Sequence, residues 1–116
     1  KQISNYADVD RNYFIKKTGN NKFNKININN FVNTIKSRNT KNRNELLCQY
    51  AYVYDFYIKS NHNNYSLFLA KRLNYSENYI KNLTKELFEK NYLLKNTKGV
   101  PGGVFSKKTL TYFNSL

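Results

Sequence analysis

Polar and basic side chains recur at helical spacing in the segment SENYIKNLTK, residues 76–85. Asn78, Lys81, Asn82 and Lys85 are separated by three or four positions, so an α-helix would place all four on one face. The amide of Asn can bond N6 and N7 of adenine, and the ammonium of Lys can bond guanine or a phosphate oxygen. If the segment folds as an exposed helix, its chemistry is recognition of a hydrogen-bonding, anionic partner.

The net charge indicates the same kind of partner. The 116-residue chain carries 20 Lys and Arg against 7 Asp and Glu, a formal charge of +13. An AT-rich genome would enrich Lys, Asn, Ile, Tyr and Phe, but it would not deplete acids. Nucleic acid explains the imbalance, because Lys and Arg displace condensed counterions from phosphates, and an anionic membrane surface is the weaker alternative. Residues 11–43 hold no acid and the following basic residues: Arg11, Lys16, Lys17, Lys22, Lys25, Lys36, Arg38, Lys41 and Arg43.

Composition fits one domain with a modest core, since 40% of the residues are hydrophobic and domains most often hold roughly 100–150 residues. No apolar run approaches the ~20 residues of a membrane span. The chain begins without Met and without a secretory hydrophobic region, so we expect a trimmed or processed protein. Cys48 is the only cysteine and cannot form an internal disulfide, which favours a reducing, cytoplasmic setting.

A long helix is predicted from Asn44 onward, in NELLCQYAYVYDFYIKS. So wide an apolar band is more than one small core usually covers. The second of its two apolar rows therefore packs on the N-terminal segment or forms part of a homodimer interface, and the sequence leaves both open. The two rows are Leu46, Tyr50, Val53 and Tyr57, and Leu47, Ala51, Tyr54 and Ile58.

Two further helices with a short break are predicted in SLFLAKRLNYSENYIKNLTKELFEK. The first runs from Ser66 to about Leu73, and the second occupies residues 77–90. Asn74, Tyr75 and Ser76 form the turn, because Asn tolerates the left-handed conformation and Ser is a good N-cap. The residues expected to be buried are Leu69, Ala70 and Leu73 in the first helix and Ile80, Leu83 and Leu87 in the second.

A hairpin and a last helix are predicted after Asn91, where the preceding helix would end. A short apolar strand covers residues 92–95, and Val104 and Phe105 lie on the returning strand. Three of the four glycines and the only proline fall within 99–103, which predicts a tight hairpin tip. Ser106 would cap the helix KKTLTYFNSL, with Leu110, Phe113 and Leu116 on one face.

The helix pair resembles a helix-turn-helix, with small Ala70 at the crossing, Asn74 in the turn, and Ile80 and Leu83 holding the second helix. With the Gly-rich hairpin that follows, residues 44–116 resemble the winged-helix family. YFIKK, LLCQYAYVYDFY, LAKRLNYSENYIKNLTKEL and KNYL are similar to the DNA-binding domains of replication initiators and replisome organisers from plasmids and phages of low-GC bacteria. They are also similar to centromere-binding partition proteins and winged-helix repressors of the same kind.

The resemblance implies a mainly α (α+β) fold, a winged helix-turn-helix over 44–116 with a small β-hairpin wing. A basic, Asn-rich extension over 1–43 lies outside it. In that extension RNYFIKK, TGNN and KFNKINI would form a β-hairpin about a Gly-Asn turn. NKININNFVNTIKSRNTKNR would equally form a short helix followed by a basic loop, so both remain open.

The resemblance also implies residue roles, with the start of the second helix in the major groove. Any single Lys is more often a solvated charge, so the prediction depends on their joint placement. Base contacts are predicted from Asn78, Lys81 and Asn82. Backbone contacts are predicted from Tyr75, Ser76 and Lys85, from Lys95, Lys98, Lys107 and Lys108 around the wing, and from Lys16, Lys17, Lys36, Arg38, Lys41 and Arg43 in the N-terminal stretch.

Two features of this helix need a separate interpretation. Glu77 departs from the pattern, since an acid near phosphates costs affinity. It could accept a hydrogen bond from cytosine or simply favour the helix N-terminus electrostatically. Tyr75 and Tyr79 are expected to be half-buried, with hydroxyls free to reach a phosphate.

Catalysis finds little support in the sequence. His62 lies in a polar loop, Cys48 is expected to fill space in the core, and no pair of side chains has metal-ligand spacing. Glu86 and Glu89 lie beside Lys85 and Lys90, as solvated helix charges usually do. We therefore expect a non-enzymatic protein without cofactor or metal.

The predicted function is sequence-specific binding of double-stranded DNA by a homodimer, in replication initiation, partition or transcription control. A replication or partition protein is a further expected partner, and a membrane is not. Non-specific binding of single-stranded DNA or RNA is one alternative, which 11 Tyr and 8 Phe could support by stacking, although most fall at core spacing. A winged helix used for protein contacts is the other, but it would normally lose the basic face.

Overall fold

The computed structural model describes residues 26–60, 63–96 and 102–116. They form a mainly helical fold with one antiparallel two-stranded sheet, which confirms the mainly α prediction. In chain order the elements are α1 (Ile28–Lys36), α2 (Arg43–Lys59), α3 (Tyr65–Leu73), α4 (Glu77–Glu89), β1 (Leu93–Lys95), β2 (Gly103–Phe105) and α5 (Lys107–Asn114).

Helix α2 lies at the centre of the core. Ten consecutive residues, 46–55, are buried, so the helix is enclosed on all sides by α1, α3, α4 and α5. Tyr54 of the second apolar row meets Tyr65 of α3, with ring centroids 5.3 Å apart, and Phe88 of α4, at 6.2 Å. That row is therefore covered within the chain, and at Tyr54 the cover comes from α3 and α4 rather than from the N-terminal segment.

Helix α1 shares the same core. Its buried residues are Phe31, Val32 and Ile35, and the Phe31 ring meets Tyr52 of α2 edge-on at 5.6 Å. The end of the predicted extension thus packs against the elements that follow it. Of the two alternatives for this stretch, the described residues form the short helix and loop. The alternative hairpin falls mainly in residues 11–25, outside the described residues.

Asparagine marks the ends of several helices. The side chains of Asn27 and Asn42 accept hydrogen bonds from the backbone N–H groups of Asn29 (2.9 Å) and Glu45 (2.8 Å), which caps α1 and α2. Asn74 and Asn91 adopt φ of 60°, the left-handed conformation, directly after α3 and shortly after α4. Asn thus has two roles at helix ends. Its amide caps the first turns of α1 and α2, where backbone N–H groups lack a helical partner, and its backbone adopts the left-handed conformation after α3 and α4.

Helices α3 and α4 are joined by the predicted three-residue turn. The Ser76 hydroxyl accepts a hydrogen bond from the backbone N–H of Tyr79 at 3.1 Å, so Ser76 is the N-cap. The helix bounds agree with the prediction to within a residue. All six residues predicted to be buried in this pair are buried: Leu69, Ala70, Leu73, Ile80, Leu83 and Leu87.

Strands β1 and β2 pair in antiparallel register, with Leu93 opposite Phe105 and Lys95 opposite Gly103. Leu93 and Phe105 are buried. Gly103 was expected in the hairpin tip, but it belongs to β2; residues 97–101 of the tip lie outside the described residues. In the last helix Phe113 is buried as predicted, whereas Leu116 lies beyond α5 and is 51% exposed.

Asp55 holds the start of β2 against α2. Its buried carboxylate accepts a hydrogen bond from the Gly103 N–H at 3.2 Å and pairs with the Lys59 Nζ at 3.0 Å. The preceding Gly102 has φ of +83°, and a Cβ there would lie 2.6 Å from the Asp55 Oδ1. Glycine is therefore required at 102 by its backbone conformation and by the close approach to Asp55.

Replacing Gly102 with Ala should lower the free energy of unfolding by roughly 1–3 kcal/mol, because the methyl group meets Asp55 and the backbone is strained. Chemical denaturation measures the change. Lys95→Ala, on the exposed opposite strand, is the control and should stay within about 0.5 kcal/mol of the parent. If Gly102→Ala costs no more than this control, β2 does not depend on the contact with Asp55.

Candidate nucleic-acid interface

The four predicted residues of α4 form one exposed face. Asn78, Lys81, Asn82 and Lys85 are all exposed. The opposite face is fixed inward by buried apolar residues and by Thr84, whose hydroxyl lies 2.8 Å from the Tyr50 hydroxyl of α2. The orientation of the polar face is therefore set by the core.

Both lysines of this face have an acid one turn away. The Lys81 Nζ lies 3.9 Å from the Glu77 Oε2, and the Lys85 Nζ lies 3.8 Å from the Glu89 Oε2. These exposed, loosely held pairs contribute little to stability. Both ammonium groups therefore stay available to an anionic partner.

Glu77 joins α4 to α3. Its Oε2 accepts a hydrogen bond from the Ser66 hydroxyl at 2.7 Å, and Ser66 is buried. The carboxylate also lies in the first turn of α4, where the helix dipole favours negative charge. Of its two predicted roles, the electrostatic one at the helix N-terminus therefore accounts for its position.

Two stacked tyrosines link the start of α4 to the loop before α2. The rings of Tyr75 and Tyr79 are 4.2 Å apart and inclined by 16°. The Arg38 guanidinium lies 3.9 Å from the centroid of the Tyr75 ring, and it donates a hydrogen bond to the Asn74 carbonyl at 2.6 Å. Arg43 donates to the Tyr79 hydroxyl at 3.4 Å. We call the set of Arg38, Tyr75, Tyr79 and Arg43 the tyrosine stack.

Arg43 also binds the last turn of α4. Its Nε and Nη2 donate to the two carboxylate oxygens of Glu86, at 3.2 and 2.5 Å, and the Lys90 Nζ reaches the same carboxylate at 2.8 Å. The hydrogen bonds from Arg43 lower the pKa of Glu86 to about 2, and the pair raises the pKa of Arg43. The start of α2 and the last turn of α4 are thus held together by an ion pair with two hydrogen bonds.

These contacts alter several predicted roles. Tyr75 and Tyr79 are half-buried as expected, and the Tyr79 hydroxyl accepts a hydrogen bond from Arg43. Arg38 and Arg43 are both engaged within the chain. Of the remaining predicted N-terminal residues, Lys36 and Lys41 are exposed, and Lys16 and Lys17 lie outside the described residues.

The lysines assigned to the wing have different surroundings. Lys95 is exposed at the end of β1, and Lys98 lies outside the described residues. Lys107 and Lys108 are in the first turn of α5, at the start of the predicted last helix. The Lys108 Nζ donates to the Lys90 carbonyl at 2.6 Å and lies 4.1 Å from the centroid of the Tyr92 ring, so it secures the end of α4.

Sequence reasoning missed Glu86 as an anchor and treated it as a solvated charge. Its local signal, Lys90 four residues later, is common on exposed helices. Its main partner, Arg43, is 43 residues away. No local pattern identifies such a pair.

The described residues offer little else of chemical interest. They contain no group of three or more His, Cys, Asp or Glu able to hold a metal ion. Cys48 is buried, as predicted, and burial raises the pKa of its thiol to about 11. None of the helices in the described ranges is long and apolar enough to cross a membrane.

Glu86→Gln should lower the free energy of unfolding at pH 7 by about 1 kcal/mol, because the neutral amide loses its charge-assisted bonds to Arg43 and Lys90. The expected size is moderate because the Arg43 side chain is 50% exposed, so solvent screens the pair. Urea denaturation of both proteins measures the difference. Glu89→Gln, on the exposed Lys85 pair of the same helix, is the matched control and should have almost no effect.

The same difference should depend on pH. The folded protein holds the pKa of Glu86 at about 2, below its ordinary value of 4.5. The stabilisation is therefore complete above pH 4.5 and is lost as the pH falls towards 2. A gap between parent and Glu86→Gln that stays constant over this range would contradict the role assigned to the ion pair.

No protein-family model, curated protein or solved structure matches this chain. Its function must therefore be inferred from the exposed face of α4 and the surrounding charges.

Proposed function

We propose that the chain is a winged-helix protein that binds double-stranded DNA with α4 in the major groove. The observation that best supports this proposal is the exposed face of α4. This face contains Asn78, Lys81, Asn82 and Lys85, and the opposite side of the helix is buried. Asn and Lys side chains can distinguish base edges in the major groove, which is wide enough to admit a helix. The rest of the fold supplies the rigid support for that face.

The order of elements supports the winged-helix assignment. A three-residue turn with a left-handed Asn74 joins α3 to α4, and an antiparallel strand pair follows α4 directly. In this arrangement α4 is the recognition helix and the β1–β2 hairpin is the wing. Lys95 on the wing is exposed and suited to a phosphate contact.

The distribution of charge also supports a polyanionic partner. The five acids in the described residues all have a partner within the chain, although Glu89 has only the loose, exposed pair with Lys85, so few acids oppose the basic surface. They are Glu45 (with the Lys41 N–H and the Tyr112 hydroxyl), Asp55, Glu77, Glu86 and Glu89.

We assign base contacts to Asn78, Lys81 and Asn82. Arg38 and Arg43 act first as positioning residues, because their contacts with Tyr75 and Tyr79 hold the start of α4 in place. The Arg38 guanidinium has five N–H donors, so it can also meet a phosphate while bound to Asn74. The backbone contacts come from Tyr75, Ser76, Lys85, Lys95, Lys98 and Lys107, and from Lys16, Lys17, Lys36 and Lys41.

Duplex DNA is favoured over a single strand by the placement of the aromatic residues. Single-strand binding by stacking requires exposed rings. In the described residues no Tyr or Phe is exposed, and the exposed large hydrophobics are Leu67, Leu94 and Leu116. The proposal has four further parts. The protein acts as a homodimer in the cytoplasm, it serves replication, partition or transcription control, and it has a replication or partition protein as a partner.

The test is fluorescence anisotropy with a pool of duplexes, a random single strand and an A-form RNA duplex, each over a salt series. The protein should prefer some duplexes, and Asn78→Ala with Lys81→Ala should abolish the preference. One well-formed base contact is worth about 1–3 kcal/mol, roughly 5–150-fold in affinity. The salt dependence should remain steep in this double variant, since most phosphate contacts persist.

Asn39→Ala with Lys41→Ala is the matched control, because it removes the same two side-chain types from the exposed loop before α2. It should weaken binding to every nucleic acid equally and leave the sequence preference intact. Equal binding of the parent to all three nucleic acids, unchanged by the α4 variant, would rule out base reading by α4.

A further inference from the structure

Two shallow depressions adjoin each other over the outer side of α3. They share Phe68 and Lys71, so they form one continuous surface, which we call the α3 surface. The first is lined by Asn63, Asn64, Leu67, Phe68 and Lys71, and the second by Lys36, Phe68, Lys71 and Arg72.

The floor of the α3 surface is apolar. Leu67 is 40% exposed, although the core does not use it; α3 buries Ser66, Leu69, Ala70 and Leu73 instead. The neighbouring Phe68 ring is half-buried, and its centroid lies 5.1 Å from that of Tyr57 on α2. An exposed Leu beside a supported aromatic ring gains free energy when a partner's apolar side chain covers it.

The rim of the same surface is positive. Among the described residues, Lys36, Lys71 and Arg72 line it and no acid does. Arg72 donates to the Asn29 amide oxygen at 3.4 Å. Within the described ranges, none of these three cations forms a salt bridge with an acid, so each can pair with an acidic group of a partner.

We propose that the α3 surface binds an acidic, amphipathic peptide segment of a partner protein, in which Asp or Glu side chains flank Leu or Phe. The apolar floor favours such a segment over a second stretch of DNA backbone, because phosphates gain nothing from Leu67 and Phe68. The α3 surface shares no residue with the exposed face of α4, and Lys36 is its one member that is also assigned a DNA backbone contact. Peptide binding therefore does not require base reading by α4, and one protein could hold both partners.

The experiment uses the full chain and a fluorescent synthetic peptide of Glu and Asp with Leu and Phe at helical spacing. Comparison peptides replace the apolar residues with Ser or the acids with Lys. The acidic, apolar peptide should bind, and both comparison peptides should bind at least about tenfold more weakly. NMR amide shifts on adding the peptide should concentrate at the residues of the α3 surface.

Two variants test the floor and the rim separately. Leu67→Ser and Lys71→Glu should each weaken the peptide at least about fivefold, and Leu67→Ser should leave affinity for duplex DNA unchanged. Leu116→Ser is the matched control, because Leu116 is an exposed Leu outside the α3 surface, and it should have no effect. Thermal melts monitored by circular dichroism confirm that each variant is folded.

Several results would overturn the proposal. They are no detectable peptide binding, equal binding of the Ser-substituted peptide, insensitivity to Leu67→Ser, or shifts confined to α4 with displacement by duplex DNA. The last result would mean that the peptide merely imitates DNA. Peptide binding without any DNA binding would support the α3 surface while refuting the function proposed for α4.

Discussion

The enclosure of α2 is the constraint on which the other elements depend. Its buried residues include polar side chains, and an unpaired buried polar group costs about 1–3 kcal/mol. The Tyr50 hydroxyl is paired with Thr84 on α4, the Gln49 Nε2 donates to Tyr112 on α5, and Asp55 accepts from Gly103 on β2. Helices α4 and α5 and strand β2 are thus each fixed by a directional bond as well as by apolar contact, which limits sliding along α2. Only the Gln49 Oε1 is left without a partner among the described residues.

The same principle positions the candidate interface. Helix α4 is held at three levels: by the tyrosine stack at its start, by Thr84 inside the core, and by Glu86 at the Arg43 ion pair. These attachments leave the opposite face outward and limit rotation of the helix about its axis. A face held in this way loses little conformational freedom when it meets a partner, which favours affinity and discrimination. In the proposed complex, Arg38 and Arg43 would therefore act through the position of α4, beyond any charge that they supply.

The sequence predicts the α3–α4 pair well because its signals are local. Apolar spacing, a left-handed Asn74 and the Ser76 cap lie within a few residues of one another, so the bounds and the buried side follow directly. The remaining contacts join distant positions: Arg43 with Glu86, Arg38 with Tyr75, and Asp55 with Gly103. A single sequence contains no signal that identifies such distant pairs. Spacing placed Tyr54 in an apolar row, for example, but gave no means of finding that Tyr65 and Phe88 cover it.

The positions of the acids distinguish two explanations of the high positive charge, which are an AT-biased genome and a polyanionic partner. An AT-biased genome accounts for abundant Lys and Asn, but it predicts nothing about where acids are kept. Here four acids hold the fold together: Glu45 at the start of α2, Asp55 at the sheet, Glu77 between α3 and α4, and Glu86 at the ion pair. Glu89 is the one acid among the described residues whose partner is only a loose, exposed lysine, as expected if a polyanion must approach this surface. Positive charge alone would suit DNA and an acidic protein equally. The distinction between the two partners depends on the groups beside the cations. On α4 these groups are the Asn amides, and around α3 they are the apolar side chains of Leu67 and Phe68.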